Sequence, residues 1–345
     1  MDILKAIFEE QLEIRQDSVG NAVIGGTVFT PVAILQADKT AYDDEYSKWL
    51  SERWLPEQNE KLEEILIIHT NRTRFADLCT ALKNNQVIPL IGSGMSVSSG
   101  KPAWSDFLRS IRPYSSVENM RLEEMLAASQ YEEAVEELIH TMPGRLFDER
   151  IEHELRFDNA SKITGAIQFL PELFDKLVLT TNLDDLLENL YTYRQCSFNE
   201  ILIGEDVGRY RVKKATAQRI LLKFHGDCRI QEGRVLGKVE YERAYKPASA
   251  VRDELMMIYR NYNLLCLGCS LGADRTVSLI GEVAALDKGM PKHYAFLSKP
   301  TDEEALRSRE CFLAERGIFP IWYVGDHDDC IQTLFIGMLQ SLGKI

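Results

Sequence analysis

From about position 82 the chain alternates short apolar runs with amphipathic stretches. The runs are "QVIPLIG" (86–92), "KLVLTTN" (176–182), "ILLKFHG" (220–226), "NLLCLGCSL" (263–271), "KHYAFLS" (292–298) and "FPIWYVG" (319–325). Each has the length of a strand, and apolar runs with no polar face mark strands buried on both sides. Helical stretches separate several of them. The pattern therefore predicts an α/β fold with a Rossmann-like, doubly wound parallel sheet. A mainly helical stretch at about 114–173 is too long for a simple crossover and predicts an inserted helical subdomain. Residues 1–80 read as an accessory region. Met1–Arg15 has the spacing of an acidic amphipathic helix, and "NAVIGGTVFTPVAILQAD" places a Gly-Gly turn between β-rich pieces, which predicts a hairpin. "YDDEYSKWLSERWLPEQNEKLEEILIIHTN" has helical spacing that Pro56 is expected to break. The expected division is thus 1–80 for the accessory region and 81–345 for the main domain.

Composition narrows the function. The 345 residues are 45% hydrophobic and 27% charged, as in ordinary globular proteins. A net charge of -13 with no dense Lys/Arg cluster argues against unaided nucleic-acid binding. "MDILKAIFEEQ" has acids where a signal peptide needs a basic segment. No run approaches the roughly 18 apolar residues of a membrane span, so a soluble cytoplasmic protein without membrane contact is expected. The seven scattered cysteines are expected to be reduced thiols. "CLGC" at Cys266–Cys269 has no second CxxC pair to complete a zinc site, and His69, His140, His153, His293 and His327 show no metal-ligand spacing. No metal is predicted.

Candidate chemistry gathers at four strand ends. In "PLIGSGMSVSSG", Gly92 and Gly94 follow a strand, as a turn that lets the backbone approach a pyrophosphate requires. The spacing is neither GxGxxG nor a P-loop, and the segment reads equally as a structural βα turn. "LTTNLDD" carries Thr181, Asn182 and Asp184, which also read as a helix cap. "KFHGD" carries His225 and Gly226; alone, His225 reads as a buried structural histidine. "GCSLGADRTV" carries Gly268, Ser270 and Asp274, and also reads as a tight turn. Trp104 in "GKPAW" reads either as a core anchor or as a ligand-side residue. If the strands are parallel, all four sets meet in the crevice beyond their carboxyl ends.

In that order the four motifs resemble the sirtuin superfamily over roughly residues 82–345. "GSGMS" is similar to its GAGxS phosphate loop, "TTNLD" to its TQNxD motif, "HG" to its catalytic histidine and "GCSL" to its GTSL segment. Two departures matter. Deacylases of the superfamily follow the loop with GIPDFR where this chain has "GKPAWSDF", and the paired CxxC zinc knuckle is absent. Both argue against protein deacylation. The whole pattern more closely resembles bacterial sirtuin-like NADases of antiphage defence, which often act with a helicase-type ATPase or an Argonaute-like protein.

That resemblance implies hydrolysis of NAD+ to nicotinamide and ADP-ribose. Nicotinamide leaves as a neutral molecule, so the site must stabilise an oxocarbenium-like ribose and place water at C1′. By resemblance Asn182 bonds the ribose and positions the water, Asp184 orients the nicotinamide side or braces Asn182, and His225 is the general base. Gly92, Ser93, Gly94, Ser96, Thr181, Gly268, Ser270 and Asp274 would hold the dinucleotide. An enzyme that destroys its host's NAD+ needs restraint, so control by a partner or by homo-oligomer assembly is expected. Two other readings stay open. One is an NAD-dependent deacylase or ADP-ribosyltransferase, and the other a non-catalytic NAD or ADP-ribose-binding scaffold.

Overall fold

The computed structural model describes residues 2–14, 21–24, 26–157, 162–272 and 275–345. The chain divides into two compact units, Met1–Glu64 and Ile65–Ile345. The break falls ahead of the boundary that sequence places at 80, because the helix Asn71–Lys83 packs on the sheet of the second unit. Its Asn71 side chain exchanges hydrogen bonds with the backbone of Trp322, donating at 2.6 Å and accepting at 2.9 Å.

The first unit is helical around one antiparallel hairpin, β1 (Ala22–Ile24) and β2 (Thr27–Phe29), where the Gly-Gly turn predicts it. Its core is aromatic: the Phe8 ring lies 5.6 Å from Tyr42 and 5.3 Å from Trp49, and Trp49 stacks on Trp54 at 5.3 Å. Pro56 does not break the helix as expected. The chain stays helical from Lys39 to Leu66 and widens into a π-helical turn over Trp49–Trp54. The Leu55 N–H reaches back to the Leu50 carbonyl there. A proline ring would collide with the carbonyl four residues back in a tight α-turn; the wider turn gives it room.

The second unit is α/β and Rossmann-like. Seven strands, all parallel, form one sheet: β3 (Val87–Ile91), β4 (Leu177–Thr180), β5 (Glu200–Ile203), β6 (Ile220–Lys223), β7 (Asn263–Leu267), β8 (His293–Ser298) and β9 (Ile318–Tyr323). Their order is β5-β6-β4-β3-β7-β8-β9. The six strands read from the apolar runs are present, and β5 is additional. It is an edge strand, only partly buried, so its short "EILI" lacks a long apolar run. By contrast every residue of β3, β4 and β6 is buried. From β3 the chain builds one half of the sheet and then returns to β3's other side at β7. That makes β3/β7 the topological switch point, where open α/β sheets bind their ligands.

The helices Asn119–Ala127, Tyr131–Thr141 and Leu146–Leu155 occupy the stretch where a helical insert was expected. They form their own core with Phe107, Leu108 and Ile111 of the preceding helix Trp104–Ile111. Two residues from the strand-end loops, Leu183 and Cys228, are part of that core. Trp104 stacks on Phe107 at 5.2 Å, on the core side of its helix. Phe107 is fully buried. Phe107→Ala should therefore cost about 3–5 kcal/mol of stability, read by urea unfolding. A loss below 1 kcal/mol would mean the insert does not rely on this core.

Candidate active site

Parallel strands bring the ends of β3, β4, β6 and β7 to one edge of the sheet. At the switch point the loop after β3 lies directly on the turn after β7. Gly92 N–H donates to the Leu267 carbonyl at 2.8 Å, and Gly94 N–H to the Gly268 carbonyl at 3.0 Å. No side chain fits between them. A Cβ on Gly92 would lie 2.5 Å from the Gly268 oxygen, and one on Gly94 2.9 Å from the Gly268 Cα. Gly268 has φ +64, and a Cβ there would meet the Met95 nitrogen at 2.4 Å. These glycines hold two loops together backbone to backbone. The N–H groups of Gly92 and Gly94 serve that contact.

The contact sets Ser96, which lies in the short 3-10 helix Ser93–Ser99. Asn182 Nδ2 donates to Ser96 Oγ at 3.2 Å, and Ser96 Oγ donates to Asp184 Oδ2 at 2.9 Å. The loop that carries Asn182 and Asp184 is tied to β3: Thr180 Oγ1 and Thr181 N–H both donate to the Ile91 carbonyl, at 2.9 and 3.1 Å. Asn182 N–H donates to Thr180 Oγ1 at 2.9 Å. The helix-cap reading of Asn182 and Asp184 is corrected: Asp185 is the N-cap of the helix Leu186–Tyr193, and Asp184 Oδ1 accepts from Leu186 N–H at 3.2 Å just ahead of it. Burial raises the Asp184 carboxyl above its usual range, against the opposing pull of Lys223 and of its hydrogen bonds.

His225 stands two residues past Lys223, and Asn182 two residues past Thr180; Thr180 and Lys223 face each other in the β4–β6 ladder. His225 Nε2 meets Tyr245 Oη at 2.8 Å, and Nδ1 lies 3.4 Å from Tyr241 Oη. Both tyrosines come from the helix Lys238–Tyr245. Burial lowers His225 to about 3, so it is neutral at physiological pH and a weaker base than an exposed imidazole. Asn182, Asp184, His225 and Ser96 are all buried, at 6%, 6%, 8% and 1% exposure. A cleft of about 650 Å³ lies instead on the helical insert, lined by Glu118, Arg121, Glu133 and Glu136 among others. None of the sequence-predicted site residues lines it.

Residues 176–321 match the family model for the SIR2-like domain. That stretch resembles the SIR2-like domain. The match opens at β4 and closes within β9, so it takes in Asn182, Asp184, His225 and Gly268 and leaves out the glycine loop after β3. SIR2-like domains bind NAD+ and are in general NAD-dependent enzymes. No curated protein matches the chain.

At this edge of the sheet the structure brings together Gly92, Gly94, Ser96, Thr181, Asn182, Asp184 and Gly268. Ser93 opens the 3-10 helix, partly exposed. Ser270 is exposed, and its carbonyl accepts from Arg309 at 2.5 Å. Asp274 lies outside the described residues. Cys266 is buried on β7, and Cys269 Sγ contacts the carbonyls of Leu90 and Leu267. Among the described residues no cluster of His, Cys, Asp and Glu could hold a metal ion, and no helix is long and apolar enough to cross a membrane.

Sequence reasoning missed Lys223, which is fully buried with Asp227 and Glu188 on its ammonium at 2.6 and 2.7 Å. The signal was a charged residue inside the apolar run "ILLKFHG". It also missed Tyr241 and Tyr245, whose i, i+4 spacing places both on one helix face toward His225.

Two predictions follow from this geometry. Gly268→Ala should destabilise the protein by at least about 2 kcal/mol, through left-handed backbone strain and collision with Met95. Gly272→Ala, whose Cβ meets nothing within 4 Å, should stay within about 0.5 kcal/mol of wild type. Thermal unfolding compares them, and equal effects would contradict the loop contact. The second prediction concerns pH. His225 and His293 are lowered by burial from 6.5 to about 3. Between these values the unfolded chain binds protons that the folded chain does not. Stability should be full above pH 6.5 and fall on acidification, by about 1.4 kcal/mol per pH unit for each histidine. Urea unfolding between pH 7 and 5 reads it; a flat profile would contradict neutral buried imidazoles.

Proposed function

We propose that the protein is an NAD+ glycohydrolase that cleaves NAD+ to nicotinamide and ADP-ribose. The observation that carries this reading is the hydrogen-bonded set Asn182–Ser96–Asp184 beside the switch point, with His225 at the matching place on the neighbouring strand. An uncharged amide held by a serine suits a developing cation, since it bonds a ribose hydroxyl without a competing positive charge. Asp184 braces the serine that holds it. Neutral His225 has a lone pair to accept a proton from a ribose hydroxyl or from water. No catalytic acid is needed, because nicotinamide departs uncharged.

The burial of Asn182 and His225 supports control by opening. Both must touch the ribose, and both are closed off here, so turnover requires the site to open for the dinucleotide. A partner or an assembly state that favours the open form would license activity, in keeping with a role as an effector of antiphage defence. Its controlling species would be a helicase-type ATPase, an Argonaute-like protein or further copies of the chain.

Purified protein is incubated with NAD+, alone and with such partners, and nicotinamide and ADP-ribose are separated by chromatography. His225→Ala should lower kcat by about 10²–10⁴-fold, the usual contribution of a general base. Asn182→Ala should be at least as damaging, since positioning and charge stabilisation both depend on it. Hydrolysis by the double variant at the wild-type rate sinks the proposal. Products that form only with an acylated peptide or a protein acceptor favour the deacylase or transferase reading. Binding of ADP-ribose with NAD+ left intact favours the scaffold.

A further inference from the structure

We propose that Lys223 is a positioning residue. Its buried ammonium clamps the main chain just after Asn182 to the strand end that carries His225, and so fixes the spacing of the two groups. The catalytic consequence rests on the NAD+ glycohydrolase reading; the clamp itself does not.

Lys223 Nζ donates to Asp227 Oδ2 at 2.6 Å, to Glu188 Oε1 at 2.7 Å and to the Asp184 carbonyl at 2.7 Å. The Leu183 carbonyl lies further off, at 3.4 Å, and takes its shorter bond from Cys228 N–H at 2.8 Å. An ammonium has three protons, and one of the three short bonds goes to the backbone of the Asn-Leu-Asp segment. A lysine that served only to neutralise the two carboxylates would leave that carbonyl to another donor. The spacing in "KFHGD" has a purpose on this reading: Lys223 and Asp227 bracket His225 two residues on either side. The same five residues present the base and grip the loop of its partner. Asp227 is held in turn by Arg229 N–H at 2.8 Å, and Arg234 Nε donates to its carbonyl at 2.8 Å.

Lys223→Met alone leaves Glu188 and Asp227 buried and unpaired, which is strongly destabilising. The informative variant is therefore Lys223→Met with Glu188→Gln and Asp227→Asn, where no buried charge is stranded. Its kcat for NAD+ should fall about 10²-fold with KM within about threefold, because misplacement by an ångström acts on the transition state. Wild-type kcat in the folded triple variant overturns the proposal. Amide exchange gives a readout independent of NAD+. In the wild type, Cys228 and Leu186 should exchange as slowly as the strand amides of Leu179 and Leu222. In the triple variant the first two should speed up by at least about tenfold and the strand amides should not. Fast exchange of Cys228 and Leu186 in the wild type overturns the clamp whether or not any variant folds. A wild type that binds but never cleaves NAD+ sinks the glycohydrolase reading, and the exchange data then judge the clamp alone.

Discussion

The site depends on a contact that involves no side chains. Where β3 and β7 part company, Gly92 and Gly94 rest on Gly268, with backbone atoms closer than any Cβ allows. This brings the loop after β3 far enough across the sheet for Ser96 to stand between Asn182 and Asp184. A larger residue at any of the three positions would push Ser96 away, and both neighbours would lose a hydrogen-bond partner in a dry environment. Buried polar groups left unpaired are expensive, so the network and the glycine contact stand or fall together.

Much of this was legible in the sequence, and for physical reasons. Strands buried on both faces have to be apolar throughout, so β3, β4, β6, β7, β8 and β9 announced themselves. β5 did not, since an edge strand is free to face water. The polar residues at strand ends were conspicuous because nothing in a strand core calls for them. Their partners were not. Lys223 contradicts its apolar neighbours, and only three-dimensional knowledge of Glu188 and Asp227 explains how it is tolerated. Tyr241 and Tyr245 look like ordinary helix residues until His225 is placed beside them. The glycines show a related limit: a sequence shows that a Cβ is missing, but not which atom occupies its space. Pro56 was misread because a π-turn removes the clash that makes proline a helix breaker.

Burial gives the site two opposing properties. Excluding water strengthens every hydrogen bond around Asn182 and Asp184 and keeps His225 neutral, which favours a rigid, prearranged site. On the glycohydrolase reading proposed above, the same exclusion holds off NAD+. On that reading, opening the site costs free energy that the binding of NAD+ or of a partner would supply.

Leu183 is the unremarked letter between the asparagine and the aspartate, and its side chain is built into the core of the helical insert. An anchored middle residue limits how far the two that flank it can shift. The insert is joined to the loop that carries Asn182 and Asp184 through an aliphatic side chain, beside the Asp185 carboxylate that accepts from Phe157 N–H. A change in how those helices pack therefore bears on the loop of Asn182 and Asp184 without touching either side chain.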